Sequence, residues 1–158
     1  LMENESGALS RVVGLFSQRG YNIDTLTVAP TDDDTLSRLT LTTNGDDQMA
    51  EQIVKQLHKL IDTIKVVDLT EGPHIERELM LVKIKASDTD SRTELKNCVE
   101  IFRGSIIDVT PATYTVQLAG DSEKLDAFIE AVSQIGIMEV SRSGVTGISR
   151  GDKFIRVN

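Results

Sequence analysis

The sequence predicts an α+β protein in which one βαββαβ unit is used twice in tandem. Three observations carry that expectation. Four stretches hold apolar residues at the spacing of one helix face. Between them lie short runs rich in Val, Ile, Leu and Thr, in which apolar positions alternate as they do along a half-buried strand. The order of these signals in the first half returns in the second, after a Gly72-Pro73 break. With 158 residues, 39% hydrophobic and 27% charged, the chain falls among ordinary globular proteins. Aromatics make up only 4% and Trp is absent, so the core must be mainly aliphatic.

Taken in order, Leu1-Met2 is all that stands where a leading strand belongs, and the expectation is that most of that strand is missing. Leu9, Val12, Val13 and Phe16 then mark a helix from about Ala8 to Arg19, ended by Gly20. NIDTLTVAPT and LSRLTLTTNG are strands, with Leu26/Val28 and Leu39/Leu41 alternating, joined by the acidic turn TDDDT. Asn44 to Asp47 close the second strand and cap the next helix, whose stripe is Met49, Ile53, Leu57, Leu60, Ile61 and Ile64. TIKVVDLTEG reads as a further strand. Residues 1–72 thus form the first domain, and the Gly-Pro break with its charge cluster makes 73–78 a linker.

The second domain spans 79–158. RELMLVKIKA is a strand with Met80, Val82, Ile84 and Ala86 on one face. Ser91-Arg92-Thr93-Glu94 has the form of a capping box, and Leu95, Cys98, Val99 and Phe102 follow at helical spacing. SIIDVTP and TYTVQLAG are two strands joined at a proline turn. Leu125, Phe128, Ile129, Val132 and Ile135 mark a helix stopped by Gly136, IMEVSRSGV is the last strand, and GISRGDKFIRVN is a tail. Two such βαββαβ units predict two ferredoxin-like sandwiches.

Charge and chemistry narrow the function. A net charge of −8 and a pI near 4.7 argue against nonspecific binding to nucleic acid or anionic membranes. The acidic excess sits in residues 1–72, with 12 acidic against 6 basic side chains. Cys98 is the single cysteine, which excludes an internal disulfide and fits a cytoplasmic location. No apolar run approaches the roughly 18–20 residues of a membrane span. His58 and His74 are isolated, with no partner at metal-ligand spacing, so no metal site is expected. Cys98 lies on an apolar stripe, where an inert thiol is the expectation. Asp32-Asp33-Asp34 reads as a solvated turn more readily than as a cation site. No Gly-rich phosphate loop, GxSxG or HExxH is present. The chain has no catalytic residues to assign and is read as no enzyme by itself. Gly14 within the first helix costs about 1 kcal/mol relative to Ala, pointing either to a close neighbour or to tight packing. Arg142, Arg150, Lys153 and Arg156 form a modest basic cluster, either a contact for an acidic partner or solvated charge.

The stretch ENESGAL, Glu3 to Leu9, enters the first helix at its positive end, where backbone N–H groups lack intrahelical partners. Gly7 lets a ligand approach the main chain, so a carboxylate placed there would meet the amides of Gly7, Ala8 and Leu9 without any Arg or Lys. Asn4 could serve a neighbouring amino group. A small zwitterion such as a free amino acid suits that chemistry. The other reading is an N-capping loop with Ser6 as the cap.

ENESGALSRVVGLFSQRGYNIDTLTVAPT, with LSRLTL after it, resembles the amino-terminal ACT domain of the acetohydroxyacid (acetolactate) synthase regulatory subunits. The resemblance continues through EQIVKQLHKLIDTIKVVDL, RELMLVKI, EIFRGSIIDVTP, YTVQLAG and SRSGVTGISRGDK, covering essentially the whole chain. It implies a non-catalytic subunit that binds a catalytic subunit, raises its activity and makes it sensitive to valine. Thiamine diphosphate, FAD and Mg would belong to that partner, with no cofactor in this chain. It also implies a homodimer through side-by-side ACT domains, with the effector at their interface. One protomer would contribute Asn4, Glu5, Ser6, Gly7, Ala8 and Leu9. The facing protomer would contribute Asn22 and Ile23, the latter as an apolar wall, and Ala29 would influence the response through packing. Two rivals fit less well. An amino-acid-sensing transcriptional regulator needs a basic DNA-reading element, and an acylphosphatase-like hydrolase needs an Arg-bearing anion loop.

Overall fold

The computed structural model describes residues 1–157 and divides into two compact units, one built from Leu1–Ile75 with the segment from Thr146 on, the other from Glu76–Val145. In the first unit the elements run β1 (Met2–Glu3), α1 (Ala8–Gln18), β2 (Thr25–Pro30), β3 (Leu36–Thr42) and α2 (Asp47–Leu57). The sheet order is β1-β3-β2, all antiparallel, with Met2 opposite Ser37 and Val28 opposite Leu39. On the other side of β1, Met2 forms a lone bridge to Thr63, and Glu3 N–H donates to the Asp62 carbonyl at 2.8 Å. This is the ferredoxin-like order, with the fourth segment, 62–65, lying against Leu1–Glu3. Met2, Ala8, Val12, Phe16, Ile53 and Leu57 form the core, and Tyr21 meets Phe16 edge-on at 5.9 Å.

Two expectations fail here for related reasons. The stripe Leu60, Ile61, Ile64 continues the helical spacing, yet α2 stops at Leu57. Residues 58–63 close i→i+3 turns instead, which carry the chain round to β1 and leave Ile61 89% exposed. The strand expected at TIKVVDLTEG is absent. After the bridge at Thr63, Leu1 donates to the Lys65 carbonyl at 2.8 Å and accepts from Ile64 N–H at 3.0 Å, residues 64–68 have no regular structure, and Leu69–Glu71 form a 3-10 turn capped by Asp68.

The second unit contains β4 (His74–Lys85), α3 (Thr89–Ile101), β5 (Ser105–Val109), β6 (Thr113–Gly120), α4 (Ser122–Val132) and β7 (Ile137–Arg142). Its antiparallel order β5-β6-β4-β7 is the full ferredoxin-like sheet. Met80, Val82 and Ile84 of β4, Val116 and Leu118 of β6, Leu95 of α3, and Leu125, Phe128 and Val132 of α4 are buried together, and Phe102 meets Phe128 edge-on at 5.5 Å. Cys98 packs, half-buried, against this cluster. The capping box is displaced by one turn. Asp88 is the cap, accepting from Ser91 N–H at 2.8 Å and from Ser91 Oγ, so α3 begins at Thr89.

Both expected domain limits need correction. Residues 74–78 are not a linker but the first residues of β4. The charge cluster misled because Glu78 is buried, 3% exposed, where Arg142 donates to both of its oxygens at 3.1 and 2.9 Å. The tail is not part of the second unit either. Thr146–Ser149 form a short strand, β8, which pairs with β4. Arg38 Nη2 donates to the Gly147 carbonyl at 2.7 Å, and a Cβ at Gly147 would lie 2.7 Å from Leu69 Cδ1, so that side chain would have to shift.

Candidate functional site

The loop between β1 and α1 is held at both sides. Asn4 N–H donates to the Thr35 carbonyl at 2.7 Å, and its side-chain Nδ2 donates to the Asp34 carbonyl at 2.9 Å. These bonds tie the loop to the tip of the β2–β3 hairpin. They also engage the Asn4 amide nitrogen, leaving its Oδ1 as what it can offer an ammonium group. The hairpin tip is itself closed by Asp33, whose Oδ1 accepts from Thr35 Oγ1 at 2.7 Å and from its N–H at 2.9 Å. Those bonds, the hydroxyl's first, hold the Asp33 carboxyl below the usual carboxylate range.

Gly7 is the N-cap of α1, and its φ of 85° lies in the left-handed region that favours glycine. Ser6 does not cap the helix; no side chain does. The left-handed turn lets the Ala8 N–H reach the Glu5 carbonyl at 3.2 Å and leaves the first-turn donors without a side-chain acceptor. Ala8 is buried and offers only its backbone, whereas Glu5 and Ser6 are exposed and Leu9 is 40% exposed. The loop thus presents backbone donors, one glycine surface and one apolar side chain.

Two residues beside this loop escaped the sequence reading. Arg11, one turn after Gly7, donates from Nε to Asp62 Oδ2 at 2.5 Å, and its Nη2 lies 3.5 Å from the Ser6 carbonyl. A Cβ built on Gly7 would stand 2.9 Å from Arg11 Nη1. The expectation of an anion site without Arg or Lys is therefore corrected, because a guanidinium lies against its glycine. The hydrogen bond from Arg11 holds the Asp62 carboxyl below its ordinary range, and the same bond raises the Arg11 pKa. The i, i+4 spacing of Gly7 and Arg11 was readable in the sequence. Asp62, 51 positions from Arg11, was not.

Asn22 and Ile23 lie beyond the other end of α1, which at 11 residues is about 16 Å long. Asn22 Nδ2 donates to Asp24 Oδ1 at 2.8 Å, Asn44 donates to the other Asp24 oxygen at 2.7 Å, and Thr43 Oγ1 donates to the Asn22 carbonyl at 2.5 Å. Ile23 is half-buried against the core of its own unit. Ala29 is exposed on β2, opposite Arg38. One chain therefore brings Asn4–Leu9 together and keeps Asn22 and Ile23 apart from them. β2 lies at the edge of its sheet, with Val28 37% exposed.

The remaining candidates have local roles. His58 is the C-cap residue of α2, and His74 Nδ1 is 2.9 Å from the Gly72 carbonyl. The basic cluster divides, since Arg142 is bound to Glu78 and Asp126, and Arg156 lies over the Phe154 ring at 4.5 Å. Nothing lies within 4 Å of a Cβ placed on Gly14, so no neighbour within the chain explains that glycine. Among the described residues no helix is long and apolar enough to cross a membrane.

Comparison with known proteins agrees with this architecture. The family described as "AHAS small subunit-like ACT domain" matches residues 1–65, and that described as "Small subunit of acetolactate synthase" matches residues 77–151. The acetolactate synthase isozyme 3 small subunits of Salmonella typhimurium and Escherichia coli are each 65% identical to the chain over 157 residues, covering 99% of it and 96% of the relative. The small subunit from Haemophilus influenzae is 59% identical over 156 residues, covering 98% of the chain and 95% of that protein. A crystal structure of the Thermotoga maritima small subunit superimposes with a TM-score of 0.85 at 35% identity, covering 96% of this chain and 94% of that one. With both halves matched and its ferredoxin-like units in the same order, the chain belongs to the family of acetolactate synthase small subunits, ACT-domain proteins with a regulatory role.

Proposed function

We propose that the chain is the non-catalytic regulatory subunit of acetohydroxyacid synthase, that it binds and stimulates the catalytic large subunit, and that it carries feedback inhibition by valine. The observation that supports this most directly is the uncapped start of α1 at a left-handed Gly7, a set of backbone donors with no side-chain acceptor, in a chain of this family. Thiamine diphosphate, FAD and Mg belong to the catalytic partner in this reading, and the complex is cytoplasmic.

The effector site takes two protomers. Asn4 and the backbone from Glu5 to Leu9 come from one protomer, and Asn22 and Ile23 from the other. Their separation along α1 within one chain favours that division, and the edge position of β2 favours a sheet continued into a second copy. Ala29 on that edge strand acts through packing. Valine bridging the protomers stabilises the arrangement that couples less productively to the catalytic subunit, with a coupling energy of about 1–3 kcal/mol.

The test follows acetolactate formation by the purified catalytic subunit alone, with this chain, and with this chain plus valine. Stimulation that valine reverses is the expected result. A catalytic rate indifferent to the chain would refute the reading.

A further inference from the structure

The inference concerns the charge that faces the effector and rests on the reading just given. A carboxylate approaching Gly7 enters unfavourable surroundings. Glu3 and Glu5 flank the loop, and Asn4 ties it to a hairpin tip that carries Asp32, Asp33 and Asp34. The open end of a helix supplies only about half a unit of positive charge. Without a full cation close by, that balance disfavours an anion.

Arg11 is the guanidinium in the right place, its charge paired with Asp62 and its Nη1 still free to donate. We infer that Arg11 is the residue that receives the effector's carboxylate, and that Asp62 is the positioning residue that turns its guanidinium towards Gly7. The two ends of this pair sit in different surroundings. Asp62 is 7% exposed and fixed by its backbone to β1 through the bond from Glu3 N–H, so it is a rigid anchor. The Arg11 side chain is 44% exposed, with Nε committed to Asp62 and Nη2 near the Ser6 carbonyl. Nη1 remains as the edge that lies over Gly7. A guanidinium held through Nε, with Nη1 left over, suits a carboxylate, to which a charged N–H donates a short hydrogen bond. The same carboxylate then accepts from the first-turn amides, so one anion is held by a side chain and by the main chain together.

The arrangement also says why Gly7 tolerates no side chain. The left-handed φ strains any side chain there, and a Cβ would also displace the Arg11 Nη1 that it meets at 2.9 Å. An aspartate at this position would place its own carboxylate against Arg11 and imitate the effector's anionic end.

The test uses the full chain and two readouts. Valine affinity is measured by titration calorimetry for the unaltered protein, Arg11→Gln, Arg11→Lys and Asp62→Asn, with circular dichroism to establish that each is folded. Separately, the Arg11 Nε–H resonance is followed by NMR as valine is added to the unaltered protein. We expect Arg11→Gln to weaken valine binding at least tenfold, Arg11→Lys to recover part of the loss, and Asp62→Asn to cost a few-fold. Saturating valine should shift the Arg11 signal. Unchanged affinity in Arg11→Gln overturns the inference. So does weakened binding with an unmoved Arg11 resonance, which would make the ion pair a brace for the loop and nothing more. If the unaltered chain binds no branched-chain amino acid, the effector reading itself fails, and this assignment with it.

Discussion

The two units share a topology and differ in how their helices begin. The second has a four-stranded sheet, a core whose largest members are wholly buried, and helices α3 and α4 each capped by an aspartate, Asp88 and Asp121. The first has an α2 capped by Asp46 and an α1 that starts on an uncapped glycine. The candidate ligand-binding features lie at the helix start that has no side-chain cap. Binding sites draw on backbone that is left unsatisfied, and a helix end already closed by its own side chain has no donors to offer. The second unit shows what the same fold looks like when it keeps its hydrogen bonds for itself.

The comparison can be broken most severely at Phe128. Truncation to Ala removes a fully buried ring that packs on Phe102 and should cost about 3–5 kcal/mol. The chain has no Trp and two tyrosines, Tyr21 in the first unit and Tyr114 in the second, so fluorescence of a Tyr21→Phe background reports the second unit alone during urea unfolding. A fall in its midpoint is expected; an unmoved midpoint would mean that Phe128 is not part of that core.

A smaller effect sharpens the contrast between caps. Asp121 accepts from Lys124 N–H at 2.9 Å, so Asp121→Ala should lower stability by about 1 kcal/mol. Ser6 stands one residue before the N-cap Gly7 and makes no such bond, so Ser6→Ala should change stability by less than about 0.5 kcal/mol. Equal losses in thermal melts would contradict the uncapped start of α1.

The mildest test is pH, and here the units should behave alike. Asp33 and Asp62 in the first unit and Asp88 in the second have folded-state pKa values below their ordinary range, through Thr35, Arg11 and Ser91 respectively. A carboxyl with a depressed folded pKa adds stability that is fully present above its unfolded value, about 3.9, and is lost as pH falls through the folded one. Melting temperature should therefore be flat in this respect from pH 8 to 5 and drop below about pH 4. A decline beginning near pH 6 would point to a different titrating group.

Much of the fold was legible because periodicity reports burial directly. The stripes of α1, α3 and α4, the Asp46 cap of α2 and the alternation of β4 and β6 stand in the sequence as they do in the structure. What was not legible depends on partners far along the chain. Leu60, Ile61 and Ile64 keep helical spacing while the backbone leaves the helix to reach β1. β8 is too short to alternate, and its partner strand β4 is remote in sequence. Glu78 looked like a solvent charge because its partner, Arg142, lies 64 residues away. At the candidate site Gly7 was evident from its position before an apolar stripe. The role of Arg11 depended on Asp62, which no local pattern marks.

Gly14 has an effect on motion as well as on packing. It interrupts α1 midway with no neighbour to compensate for the backbone freedom it adds, and the turns before it begin at an uncapped Gly7. The segment Ala8–Val13 is thus bounded by two glycines, and its local opening should cost less than that of α3 or α4, which start on aspartate caps. A ligand that fills the open donors at Gly7 would add order to a stretch otherwise held to the core through Ala8 and Val12. Binding would then register as slower amide exchange over those two turns, a signal carried by entropy with little change in shape.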